Sequence, residues 1–340
     1  MDNPNNFKYQ LEHSALKMLH SEIFVVSEIA NRSNKYISKI YTKINDKYYK
    51  NENTILEILS KKLKNNTSSK YIIENFSNTG KILPDQSVNF SSNQYFIFKY
   101  YTKFVLEDYL INQQNIIQEI FIKLICYKIL KGIQYCHDCN ICHNNLNIKN
   151  IIFDENFTPV IIDFSDSINL NENNNLTKEK IIKYKNKDFY QLALILINLI
   201  TDGKKEPIKK YLTDHEGESF FIRKNGDKIE ESKFWKMIKK NSRKNISKDF
   251  IDFFIVLINP KQELNISFLI NELKWLIEFR DDFNNKNNDY ILKIENQFFT
   301  DFQSRYEHII TFKNESHNLN IELDNYLEPM NNNIQLIFRS

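Results

Sequence analysis

Short runs of β-branched and aromatic residues dominate the start of the chain. Residues 23–29 (IFVVSEI) and 35–44 (KYISKIYTKI) read as strands. The polar Asn31-Arg32-Ser33-Asn34 cluster between them predicts a turn, so the two form a hairpin. Over 51–63 the apolar residues Ile55, Leu56, Ile58, Leu59 and Leu63 make a helical stripe. Polar connectors are expected at 64–70 and 77–93, a strand at Tyr95–Tyr101 and a short helix at Val105–Ile111.

Longer helical periods begin near residue 116. Ile116–His137 has a wide apolar face, and a Cys/His/Asn-rich loop follows to Asn150. Two short strands, 151–153 and 160–163, flank a turn at 154–158, and the Asn-rich stretch 171–175 reads as a mobile loop. Phe189–Ile200 is apolar nearly all round, which predicts a buried helix. Further helices are expected at about 233–240, 247–258 and 266–279. Beyond a polar linker at 281–289, a helix is expected at about 290–306, with strands at 308–313, 319–323 and 334–338. The pattern predicts an α+β chain in three parts: a strand-rich lobe over 1–104, a helical lobe over 105–280 and an extension over 281–340. There is no internal repeat.

Composition narrows the function classes. With 46 basic against 43 acidic residues, the net charge of +3 is too even to predict a nucleic-acid or anionic-membrane partner. A hydrophobic content of 41%, of which aromatics are 14% of the chain, supports a real core. Four cysteines and no N-terminal apolar stretch predict a reducing, cytoplasmic setting. The run at 189–200 falls short of the ~20 residues needed to cross a bilayer. Of the five glycines (Gly80, Gly132, Gly203, Gly217, Gly226), none precedes residue 80, so no glycine-rich phosphate cradle exists near the N-terminus.

Residues 143–165, HNNLNIKNIIFDENFTPVIIDFS, resemble the catalytic segment of eukaryotic protein kinases, whose pattern is H-R-D-L-x-x-x-N, two short strands, then D-F-G. His143, Leu146, Asn150, Asp163 and Phe164 stand at the family's positions. Asp188 and the apolar run after it resemble the buried central helix of the large lobe. The stretch from Phe234-Trp235 through Trp275 resembles the end of a calcium/calmodulin-dependent-type kinase domain. The resemblance covers about residues 9–280 and implies a bilobed kinase-like fold. In the small lobe Tyr36-Ile37-Ser38-Lys39 resembles V-A-I-K, making Lys39 the phosphate-binding lysine, with Glu52 its helix partner; Lys43 and Glu57 are the alternatives.

Several positions depart from that pattern. The base position holds Asn145, whose amide cannot accept a proton. Losing a positioned base costs about 10²–10⁴-fold. Asn147 replaces the lysine that would neutralise the transferring phosphoryl group. Counting back from Lys39 places the family's glycines at Lys17, Leu19 and Glu22. Ser165 replaces the glycine after Asp163-Phe164, and Asn144 the arginine that would read a phosphorylated activation loop. No A-P-E stands between Asp163 and Asp188, and residues 259–263 lack its partner arginine, so both ends of that ion pair are gone.

What remains is Asn150 and Asp163 at the metal-ligand positions, with Lys39 and Glu52 on the nucleotide side. These suit Mg²⁺ when ATP supplies the other oxygens. The spacing C-x-x-C-x-x-C at Cys136, Cys139 and Cys142, beside His137, also suggests a metal site, against a reading as buried apolar positions. Trp235 and Trp275 are expected in the core, and the Lys-rich 236–244 on a solvated face. The resemblance therefore implies a catalytically impaired pseudokinase with weak or absent ATP binding. Its partners would be proteins, such as an active kinase or signalling complex, and its extension an association module or a packed tail. The alternative is an active, non-standard ATP-dependent Ser/Thr kinase.

Overall fold

The computed structural model describes residues 7–17, 21–41, 46–62, 67–73, 81–82, 95–99, 105–111, 117–154, 156, 158–172, 176–201, 221–223, 229–231, 236, 240, 247–258, 263–280 and 291–301. Its first element is a strand the sequence pattern did not predict, β1 (Phe7–Lys17), followed by β2 (Ser21–Glu28) and β3 (Lys35–Tyr41). The predicted hairpin joins β2 to β3, with Val25 opposite Ile37 and Phe24 opposite Ser38. Short β4 (Lys81–Ile82) and β5 (Tyr95–Lys99) complete a five-stranded sheet of order β4-β1-β2-β3-β5. Among the described residues of this sheet, only the β1–β4 pairing is parallel.

Strand alternation divides this sheet into two faces. Tyr9, Phe24, Val26, Ile40, Ile82 and Ile97 form one apolar cluster. The intervening residues of β3 and β5, Lys39, Tyr41, Phe96 and Phe98, take the opposite face, and α1 (Asp46–Lys62) lies against it through Tyr49, stacked on Phe96 at 4.9 Å. The helix begins five residues before the apolar stripe did, with Asp46 in its first turn and Lys61 and Lys62 in its last, each complementing the helix dipole. Ile55, Leu56 and Leu59 are its buried stripe, joined by a charged residue, Glu52.

The helical region starts with α2 (Leu106–Ile111) and α3 (Glu119–Asp138). The Tyr135 hydroxyl of α3 donates to Leu59 O at 2.6 Å, and Lys62 Nζ donates to Asp138 O at 2.9 Å, so α1 is tied to this region at its C-terminal end. Gly132 lets α3 pack closely: a Cβ there would sit 2.8 Å from Ile161 Cδ1 and 3.3 Å from Tyr71 O. Two small ladders follow, β6 (Ile141–Cys142) with β9 (Ile168–Asn169), and β7 (Ile151–Phe153) with β8 (Pro159–Ile161). Strands β7 and β8 were expected; β6 and β9 were not.

The central helix α4 (Lys178–Ile200) is longer than its apolar run. Phe189, Leu192, Ala193 and Leu196 are fully enclosed, and burial stabilises each large apolar side chain by about 1.5–3 kcal/mol. A two-stranded ladder, β10 (Phe221–Arg223) with β11 (Ile229–Glu231), precedes α5 (Lys248–Ile258). The helix expected over 266–279 is two elements, α6 (Ile266–Asn271) and a 3₁₀ turn at Lys274–Phe279, because Leu273 takes an extended backbone. That break seats Trp275, Leu276 and Phe279 in the core, with the Trp275 indole donating to Glu119 Oε1 at 2.7 Å.

The chain forms two compact units, Met1–Ile291 and Leu292–Ser340. In the second, residues 292–301 are helical, within the predicted 290–306. The linker and the three tail strands of the sequence reading, Trp235, Lys43, Leu19 and most of 233–240 lie outside the described residues, as does 173–175 of the Asn-rich loop. No described helix is long and apolar enough to cross a membrane.

Candidate functional site

Lys39 points from the sheet into a buried ion-pair chain. Its Nζ lies 2.7 Å from Glu52 Oε2 and 2.6 Å from Asp163 Oδ1, and its side chain is only 4% exposed. One cation thus joins a strand, a helix and a loop that lies 124 residues further along the chain. The second oxygen of Glu52 accepts from Phe164 N at 2.9 Å, and Tyr41 OH donates to the first. Of the two glutamates weighed for this role, Glu57 instead pairs with Asn53 on the exposed side of α1.

These contacts decide the electrostatics. Burial pushes the Asp163 carboxyl up, but Lys39 and the Ser165 hydroxyl outweigh it and hold the group below its ordinary range. Burial likewise lowers Lys39, and Glu52 and Asp163 together leave it above its usual value. Burial, then the Glu52 charge, raises Tyr41 far above the phenol range, so it stays a neutral donor. Removing either partner of such a pair costs about 3–5 kcal/mol, because an uncompensated charge stays behind.

The loop from His143 to Asn150 is held by side-chain hydrogen bonds. Asp188 of α4 accepts from His143 N at 3.0 Å, Asn144 N at 2.7 Å and His137 Nε2 at 2.8 Å. The His143 ring contacts Ile162 O at 2.9 Å and packs edge-on to Phe164 at 4.9 Å. Asn144 and Asp163 both take left-handed backbone conformations, each with φ of 65°, which short Asn and Asp side chains tolerate better than most.

The polar positions of this loop fall as follows. Asn150 donates to Asn145 O at 2.8 Å, and its carbonyl accepts from Ile162 N, which sets it beside the strand leading to Asp163. Asn147 closes a local turn, donating to Asn145 O and accepting from Lys149 N. The Asn145 amide donates to Asp166 Oδ2 at 3.0 Å. Asn144 donates to Asp166 O at 2.9 Å and accepts from Lys187 Nζ at 2.7 Å. Ser165 donates to Asp163 Oδ1 at 2.8 Å, and Asn51 of α1 donates to the carbonyls of Ser165 and Ser167. Lys39, Glu52 and Asp163 therefore meet directly, and Asn145, Asn147 and Asn150 form a second, linked group.

Sequence reasoning missed Tyr41, Asn51 and Asp166. Tyr41 and Asn51 carry no motif. Asp166 was legible as the acid directly after Asp163-Phe164-Ser165. In the 259–263 stretch, which lacks the arginine expected to pair with an A-P-E glutamate, Glu263 pairs instead with Lys185 of α4 at 2.7 Å. Of the three glycine positions counted from Lys39, Lys17 and Glu22 pair across the β1–β2 hairpin.

All four cysteines are buried free thiols. Cys142 comes together with His137 and Asp188, their ligand atoms within 4.8 Å of one another.

A search of curated proteins finds no match. The family model for the protein kinase domain, however, matches residues 21–273, a span that takes in the Lys39 sheet, the His143–Asn150 loop and the α4 helix, and the chain belongs to that family.

Proposed function

We propose that this kinase-domain protein is catalytically impaired and works as a binding or allosteric module, with weak or no ATP binding. The observation that carries the reading is Asn145: its amide stands where the family places the base and acts as a donor, to Asp166. The short stretch between Asp163 and α4 supports it too. Helix α4 begins at Lys178, directly after its cap Thr177, leaving little chain for a substrate-docking segment. Asn147, whose side chain is turned onto its own loop, offers no cation to a phosphoryl group. Partners would be proteins, such as an active kinase or signalling complex in the cytoplasm, and the calcium/calmodulin-dependent type is the subgroup the 234–275 stretch favours.

A second reading, an active non-standard ATP-dependent kinase, is favoured by the assembled Lys39–Glu52–Asp163 chain and the adjacent Asn150, which would hold Mg²⁺ through its amide oxygen beside the Asp163 carboxylate. A thermal-shift titration with ATP and Mg²⁺ or Mn²⁺, run beside a radiolabelled-phosphate transfer assay, separates the two. The first reading expects little shift and no label. A large shift, with incorporation abolished by Asp163→Ala, would replace it with the second.

A further inference from the structure

We infer that Asp166 supplies the carboxylate that position 145 has lost, and serves as the proton acceptor for a slow transfer of phosphoryl from a nucleoside triphosphate to a hydroxyl. This rests on the second reading above. Three aspartates surround the catalytic loop, and their contacts assign them different work. Asp188 is occupied in capping the loop, accepting from two backbone amides and His137. Asp163 Oδ1 is held by Lys39 and Ser165. The carboxylate in contact with residue 145 is Asp166, with its Oδ2 3.0 Å from Asn145 Nδ2.

That distance matters because of what a base must do. It must lie within about 2.6–3.2 Å of the hydroxyl oxygen whose proton it takes. A carboxylate at residue 145 would do so directly. With asparagine there, the amide orients a neighbouring carboxylate one hydrogen bond further on. The rest of Asp166 is equally fixed: Asn144 Nδ2 holds its carbonyl at 2.9 Å, and Lys187 steadies Asn144 in turn. The replacements at 144 and 145 thus act as a pair, since both amides grip the same aspartate. Asp166 is half-buried rather than enclosed, so part of the residue reaches solvent.

The step balances without any further reagent. The substrate O–H gives its proton to Asp166, its oxygen forms the new bond to the γ-phosphorus, the bond to the bridging oxygen breaks, and the nucleoside diphosphate leaves.

The test uses the full chain with ATP and Mg²⁺. It measures transfer to a mixed Ser/Thr peptide library and to the chain itself, with nucleotide-induced thermal shift as a separate readout. Wild type is expected to transfer slowly, Asp166→Asn to lower the rate at least about 100-fold with the thermal shift unchanged, and Asn145→Asp to restore transfer in the Asp166→Asn background. Recovery of transfer when Asn145→Asp returns a carboxylate to the loop is a result that loss of mere positioning would not give. Equal rates in wild type and Asp166→Asn would overturn the assignment, as would transfer by Asn145→Asp but not by wild type, in which case the cleft is competent and Asp166 is not its base. Absence of both thermal shift and transfer in every variant would instead remove the reading beneath it, and the proposal with it.

Discussion

At the scale of single residues, Lys39 is the most consequential position. It is the shared counter-charge for the buried Glu52 carboxylate and the mostly buried Asp163 carboxylate, so Lys39→Met strands both. Equilibrium urea unfolding of that variant should show a loss of about 3–5 kcal/mol. Tyr41→Phe is milder, because Glu52 keeps its lysine; the expected loss is about 1.5–3 kcal/mol, the worth of one hydrogen bond to a charged group. The acid response follows from Asp163. A carboxyl whose folded value is depressed stabilises the protein above its unfolded value near 4 and loses that contribution as pH falls through the folded one. Melting temperature should therefore decline below about pH 4 more steeply in wild type than in Asp163→Asn.

Elements show what the chain declared in advance and what it concealed. The β2–β3 hairpin was legible because a polar four-residue turn separates two β-rich runs. Strand β1 was not: Phe7, Tyr9 and Leu11 alternate, but the pairing shifts between Leu11 and His13 and again between Ser14 and Leu16, which scrambles the period of two. The site was half legible. Lys39, Glu52, Asn150 and Asp163 were found from ordered motifs, whereas the donors that orient them, Tyr41 and Asn51, belong to contacts between distant segments that no local pattern encodes. Helix α3 makes a sharper case. Ala in place of Gly132 would gain about 1 kcal/mol of helix propensity, but the added methyl meets Ile161 and a backbone oxygen. Overpacking of that kind costs about 1–3 kcal/mol, so Gly132→Ala should be net destabilising by up to about 2 kcal/mol in denaturant melts, against the usual trend for helices.

For the whole molecule, the buried thiols offer a measure of cooperativity. Cys126, Cys136, Cys139 and Cys142 are all enclosed, and burial pushes each thiol up, so almost none is the reactive thiolate. Labelling by a disulfide reagent should be slow in the native protein and approach the global unfolding rate. Rapid labelling of Cys142 or Cys139 alone would mean that the loop between α3 and β6 opens by itself.

The bond between Lys39 and Asp163 has one more consequence. Anything lodging beneath the sheet that draws Asp163 toward itself leaves Glu52 as the lysine's remaining anion, and Asn51 of the same helix lets go of the Ser165–Ser167 backbone only if that stretch travels too. News of an occupant would then be carried outward by the attitude of one amphipathic rod, whose far side bears Asn53, Glu57 and Lys61. An associating protein gripping that side could sense a full or an empty cleft without ever touching it.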